Sequence, residues 1–223
     1  MTNENLTLIA VLADHSGSMI DCRQDMEGGL NAFIEEQRNE PGLLDLALAE
    51  FDHRFNIVRP MGRLSFPYRY ALIPSGNTAL LDAMGRYITE IGGQLDSLAE
   101  SNRPAKVIML IVTDGLENAS REWTREQVKA LVEQQRTDYG WEFVFLGANI
   151  DAVAEGVNLG MARGSSMIFD ASDSAAVANS YVAAGVYTSS VRGPRVAGAA
   201  APEFTDEDRE KAMGKKTTSS STP

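Results

Sequence analysis

The run Val107-Ile108-Met109-Leu110-Ile111-Val112 is apolar at every position, so a strand built from it has no face to offer water. Such a strand must be covered on both sides, which is the condition of a parallel sheet held between helical layers. Phe143-Val144-Phe145-Leu146 repeats the pattern, and apolar runs of strand length recur at residues 6–13, 43–51, 105–113 and 141–147. The stretches between them carry the three-and-four spacing of helices. In 78–99 that face is Leu81, Met84, Tyr87, Ile88, Ile91, Leu95 and Leu98, with Thr78 placed as an N-cap; in 22–38 it is Met26, Leu30, Phe33 and Ile34. Residues 124–137, opened by Thr124, set Val128, Leu131 and Val132 on one side, and a short helix is expected at 151–157, a short strand at 166–169. An Ala-rich helix over 172–190 is read with Val177, Tyr181, Val182 and Val186 inward. The alternation predicts an α/β fold: a doubly wound, mostly parallel sheet of about six strands with one antiparallel edge and helices on both faces. The irregular stretch 52–76 is the place for edge strands.

The rest of the chain bounds what such a fold is for. A length of 223 residues, 43% hydrophobic, suits one well-buried domain, read as 1–192, followed by a polar, flexible tail over 193–223. The net charge of -11 argues against nucleic acid and anionic lipid as partners. The opening MTNENLTLIA has neither the basic start of a signal peptide nor the length of a membrane span, so a cytoplasmic location is expected. Cys22 is the only cysteine, which rules out an internal disulfide and a cysteine-based zinc site; it reads as a small buried side chain.

In an open parallel sheet, ligands sit outside the carboxyl ends of the strands. Three polar clusters lie there: Asp14-His15-Ser16-Gly17-Ser18 after the first strand, Ser75-Gly76-Asn77-Thr78 before the long helix, and Thr113-Asp114-Gly115-Leu116-Glu117-Asn118 after the most apolar strand. A carboxylate and two hydroxyls at alternate residues can aim three oxygens at one small hard cation, and an all-oxygen set suits Mg2+, with Mn2+ or Ca2+ able to substitute.

Together the three clusters resemble the metal-ion-dependent adhesion site of the von Willebrand factor A family. The family pattern is an Asp-x-Ser-x-Ser loop, a Thr in a second loop and an Asp in a third, and Asp14, Ser16, Ser18, Thr78 and Asp114 stand at all five places. Gly76-Asn77-Thr78-Ala79-Leu80-Leu81-Asp82-Ala83 looks like the family's Gly-Gly-Thr-x-Leu-x-Asp-Ala block, with Asn77 replacing the second Gly. The resemblance covers roughly residues 5–170 and is nearest to stand-alone intracellular domains of bacteria and phages. It implies a Rossmann-like fold and metal-dependent capture of a carboxylate from a partner protein, without catalysis.

Two other functions compete. A magnesium-dependent phosphohydrolase or phosphotransferase would also use strand-end carboxylates, but the chain shows no Asp-x-Asp at strand one and no GxxxxGK[ST] loop. Self-assembly is the other, with Glu203, Asp206 or Glu207 of the tail completing the metal shell of a second copy. Around the site, Asp82 is expected to bond loop backbone, Glu117 and Asn118 to shape the third loop and face the partner, and His15 to sit on the rim. Asp52 and His53 read as a solvated loop pair, Trp123 and Trp141 as packing residues, and Lys215-Lys216 as too short for a nucleic-acid arm.

Overall fold

The computed structural model describes residues 1–148, 150–194 and 200–214. The Lys215-Lys216 pair and the final Ser/Thr run lie outside the described residues.

The chain runs β1 (Asn3–Asp14), α1 (Arg23–Asn39), β2 (Leu43–Phe51), β3 (Phe55–Arg63), α2 (Leu80–Ser97), β4 (Pro104–Thr113), α3 (Arg125–Asp138), β5 (Glu142–Ala148), α4 (Ala152–Asn158), β6 (Ser166–Phe169), α5 (Ser174–Arg192) and α6 (Asp206–Ala212). The six strands form one sheet in the order β3-β2-β1-β4-β5-β6. All neighbours are parallel except β2 and β3. As expected, the irregular stretch supplies the antiparallel edge, where Pro60 breaks no interior ladder.

Side chains along the central strands part by parity, as the pleat requires. Ile9, Val11, Leu46, Leu48, Ile108, Leu110 and Val112 face α1 and α5, while Leu8, Leu12, Ala49, Met109, Ile111, Phe143 and Phe145 face α2 and α3. Two glycines set how closely the helices approach. A Cβ on Gly29 of α1 would lie 2.2 Å from the ring of Tyr181 on α5, and one on Gly85 of α2 would lie 2.1 Å from the indole of Trp123.

Three expectations change. In α5 the inward face runs Val177, Tyr181, Ala184, Thr188 and Val191, which leaves Val182 and Val186 exposed; the small Ala and the Thr hold the true helical stripe, and the two valines fall one residue off it. Thr78 does not cap α2. The helix begins at Leu80 with Ala79 in the cap position, and its first free N–H groups are met instead by Glu117 Oε2 at Leu81 and Ser120 Oγ at Asp82. Finally, part of the stretch expected as tail is packed. Phe204 is buried against Tyr187, α6 opens on a Thr205–Asp208 capping box, Arg209 donates to Ser166 O, and Asp170 N–H donates to Ala212 O. Two apolar anchors, Phe204 and Ala212, carry a segment whose composition is otherwise polar.

Candidate metal centre

The sheet order turns back on itself between β1 and β4, and the crevice at their carboxyl ends is where a doubly wound sheet binds ligands. Asp14 is the last residue of β1 and is fully buried, Asp114 directly follows β4 and is buried, and Thr78 reaches the same place from the segment before α2. Ser16 is buried, while Ser18 is exposed, so the cluster opens to solvent beside Ser18.

The five oxygen-bearing side chains form one neighbourhood. Ser18 Oγ donates to Asp114 Oδ1 at 2.7 Å, and Ser16 Oγ and Ser18 Oγ are 3.0 Å apart. Asp14 Oδ1 accepts the Ser16 N–H at 2.7 Å, and Asp14 Oδ2 accepts the Thr113 hydroxyl at 2.6 Å. Thr78 lies beside Gly115: a Cβ there would stand 3.2 Å from Thr78 Oγ1 and 3.8 Å from Ser18 Oγ. Burial pushes the Asp14 carboxyl up from 3.8 to about 6, against the lowering by Thr113 and Ser16 and with a further push from the Asp114 charge. Burial likewise raises Asp114, which Ser18 partly offsets.

The residues fit a small divalent cation. The donors are oxygens throughout, two acidic and three hydroxyl, and two carboxylates forced together out of water lack a counter-charge. Among the described residues no group of three or more His, Cys, Asp and Glu side chains is arranged for metal. The set here is two acids and three hydroxyls, an all-oxygen set of the kind that suits a divalent cation.

The loops carrying these oxygens are tied to one another. Gly17 N–H donates to Gly76 O, joining the first loop to the second, and Asn118 N–H and Ala119 N–H donate to Thr78 O, joining the second to the third. Asn118 Oδ1 returns a bond to Thr78 N–H. Asp82 accepts the N–H groups of Arg121, Glu122 and Trp123, and Glu117 accepts those of Leu81, Ala119 and Ser120. Asp82 thus bonds loop backbone as expected. Glu117 and Asn118 shape the third loop as expected.

Two readings near the site are corrected. His15 is buried rather than on the rim: its Nδ1 lies 3.1 Å from Ile73 O, and its own carbonyl accepts the Ser75 N–H. Asp52 is not part of a solvated pair. It is fully buried, with Oδ1 accepting Arg54 N–H at 2.6 Å and Oδ2 accepting the Ser75 hydroxyl at 2.9 Å and the Arg54 guanidinium at 3.1 Å. Burial pushes Asp52 up, but Arg54 and Ser75 outweigh it and hold the carboxyl below its ordinary range. Gly76, at φ +71°, admits no side chain, because a Cβ would meet His53 Nδ1 and Asp52 Oδ2 within 2.6 Å. Thr113 and Ser75 are supports without an expected role; a hydroxyl beside a strand-end acid is a signal that marks Thr113, whereas Ser75 meets Asp52 only through the fold.

No family model matches the sequence, and no curated protein matches it. Solved structures do. A von Willebrand factor type A protein from Catenulispora acidiphila superposes with a TM-score of 0.59 at 18% identity, over 87% of this chain and 44% of that one. The pilus adhesin SpaC from Lactobacillus rhamnosus GG gives 0.58 at 13%, over 81% and 29%. Proximal thread matrix protein 1 from the mussel byssus, in a structure with a zinc-occupied adhesion-site motif, gives 0.50 at 17%, over 74% and 41%. The chain spans less than half the length of each. With the sheet order and the single antiparallel edge in agreement, this chain has the fold of the von Willebrand factor A domains.

Proposed function

We propose that this chain is a protein-binding module in which a divalent cation, Mg2+ by preference, is held by Asp14, Ser16, Ser18, Thr78 and Asp114 and accepts one carboxylate from a partner protein. The observation that carries the reading is the meeting of these side chains from three separate loops at the turning point of the sheet, with Ser18 at the solvent side. Asp14 and Asp114 would balance the charge of the ion, and the three hydroxyls would add neutral oxygens. When bound, the ion supplies a Lewis-acidic position for an outside acid. The metal-bound adhesion-site motif named for the mussel protein supports the choice of ligand class.

Binding is favoured over turnover by the acids at hand. A general base needs a pKa near the working pH and access to substrate. Two acids beside the ligand set are not placed for this: Asp52 is buried, held by Arg54 and Ser75, and lowered rather than raised, and Glu117 is engaged with backbone N–H groups. Self-assembly through a free tail loses its motive, since Glu203, Asp206 and Glu207, though exposed, lie on a segment docked through Phe204 and Ala212.

The test is isothermal titration of the chain with Mg2+ and with Mn2+, beside the Asp14→Ala and Asp114→Ala variants. Saturable binding that both substitutions abolish is the expected result; unchanged binding in either variant would contradict the assignment. Turnover of generic phosphoesters that depends on Asp114 would favour the enzymatic alternative.

A further inference from the structure

We infer that the partner's carboxylate is presented between apolar side chains, on a loop or terminus carrying a single acid, because each of the three loops around the site bears one exposed aliphatic side chain. This rests on the cation-binding reading above. Ile20, Ile73 and Leu116 are 67%, 72% and 64% exposed, among the most exposed large apolar residues described.

Their positions follow from the sequence and, for Ile73, from a bond already given. Ile20 ends the short 3-10 turn Gly17–Ile20 and follows Ser18 by two residues; in the same turn Met19 is buried, so the turn offers one apolar side chain to the core and the next to water. Leu116 follows Asp114 by two residues, on the loop whose other acid, Glu117, is engaged with backbone. Ile73 precedes Ser75 by two residues, and its carbonyl faces His15 Nδ1. Single exposed hydrophobics are ordinary on a protein surface. The inferred arrangement is a collar, with one such side chain within two residues of each polar cluster, and an apolar collar around a charged centre matches an acid with apolar flanks.

Charge selects further. The chain carries a net -11, and Asp21 is exposed directly after Ile20. A second acid on the partner would meet that field, whereas a lone carboxylate would be held at the ion. A free inorganic anion would gain nothing from the three aliphatic side chains.

The experiment uses the full chain and two synthetic peptides identical except at their centres, Leu-Asp-Leu against Ser-Asp-Ser, titrated calorimetrically in excess Mg2+ and again in chelator. The apolar-flanked peptide is expected to bind at least about tenfold more tightly, equivalent to about 1.4 kcal/mol, and only with Mg2+. In the double variant Ile73→Ser, Leu116→Ser that advantage is expected to disappear while the rise in melting temperature on adding Mg2+ stays as in the parent. Equal affinities for the two peptides overturn the collar and leave the cation reading standing. Failure of both peptides to bind, with the Mg2+ shift intact, also overturns it. Absence of the Mg2+ shift in the parent chain removes the cation reading itself.

Discussion

Replacing Asp14 by Asn is expected to strengthen the metal-free fold while destroying the site. Burial raises the Asp14 carboxyl from 3.8 to about 6, so the folded chain holds that proton more tightly than the unfolded chain does. The associated stability is therefore complete below about pH 3.8, declines as pH rises through about 6, and is gone at pH 7. The gap of about 2 on the pH scale corresponds to roughly 3 kcal/mol. Asn keeps an oxygen for the Ser16 N–H, and the Thr113 hydroxyl can turn to accept from the new amide, so little is lost in exchange. At roughly 2–4 °C per kcal/mol for a chain of this size, the variant should melt roughly 6–12 °C above the parent at pH 7 in chelator. The parent alone should gain on acidification from pH 7 towards pH 5. With magnesium at about a hundred times its dissociation constant the gap nearly closes, since the parent gains about 2.7 kcal/mol by linkage and the variant gains none. Differential scanning fluorimetry across that pH range, with and without Mg2+, reads all of this. A metal-free Asp14→Asn protein that melts below its parent at pH 7 would refute the reasoning, because it would mean that the buried charge is already compensated within the chain.

Asp52→Asn should lower stability at pH 7 by about 1.5–3 kcal/mol, the range for hydrogen bonds to a charged group, through loss of the charge-assisted bond from the Arg54 guanidinium, since the Ser75 hydroxyl can turn to accept from the new amide. Because the Asp52 carboxyl is held below 3.8 in the fold, its contribution is present above that pH and fades as pH falls through the folded value; urea titrations should show parent and variant converging in acid. Gly85→Ala, normally a gain of about 1 kcal/mol in a helix, should instead cost about 1–3 kcal/mol by overpacking, since the new methyl would stand 2.1 Å from the Trp123 indole. Equal or higher melting temperature for that variant would show that Trp123 can move aside.

Periodicity located the strands and most helices because each carries its apolar stripe in consecutive order, as in β4 and along Tyr87, Ile88 and Ile91 of α2. It misjudged α5, where Ala184 and Thr188 occupy buried positions that a count of large apolar residues passes over. It read too little into the stretch after 193, because two anchoring residues are too few to make a pattern. At the site, the five side chains singled out by the family resemblance lie together. Their supports were partly hidden: Asp52 is buried by contacts from Arg54 and Ser75, and His15 by the folding back of residues 73–75, and neither arrangement leaves a period in the sequence. Thr78 looked like a cap because hydroxyls so often are, yet the third loop supplies those bonds from Glu117 and Ser120.

The backbone bonds from Gly17 to Gly76 and from Asn118 and Ala119 to Thr78 have a consequence for selectivity. Three loops stitched to each other before any ligand arrives are preorganised, so their conformational entropy is surrendered during folding rather than at ligation. For the cation proposed above, loops joined in this way would favour a small ion: the compact octahedral demand of magnesium could be met without moving them, whereas calcium, with its larger and more variable shell, would require the stitched loops to spread.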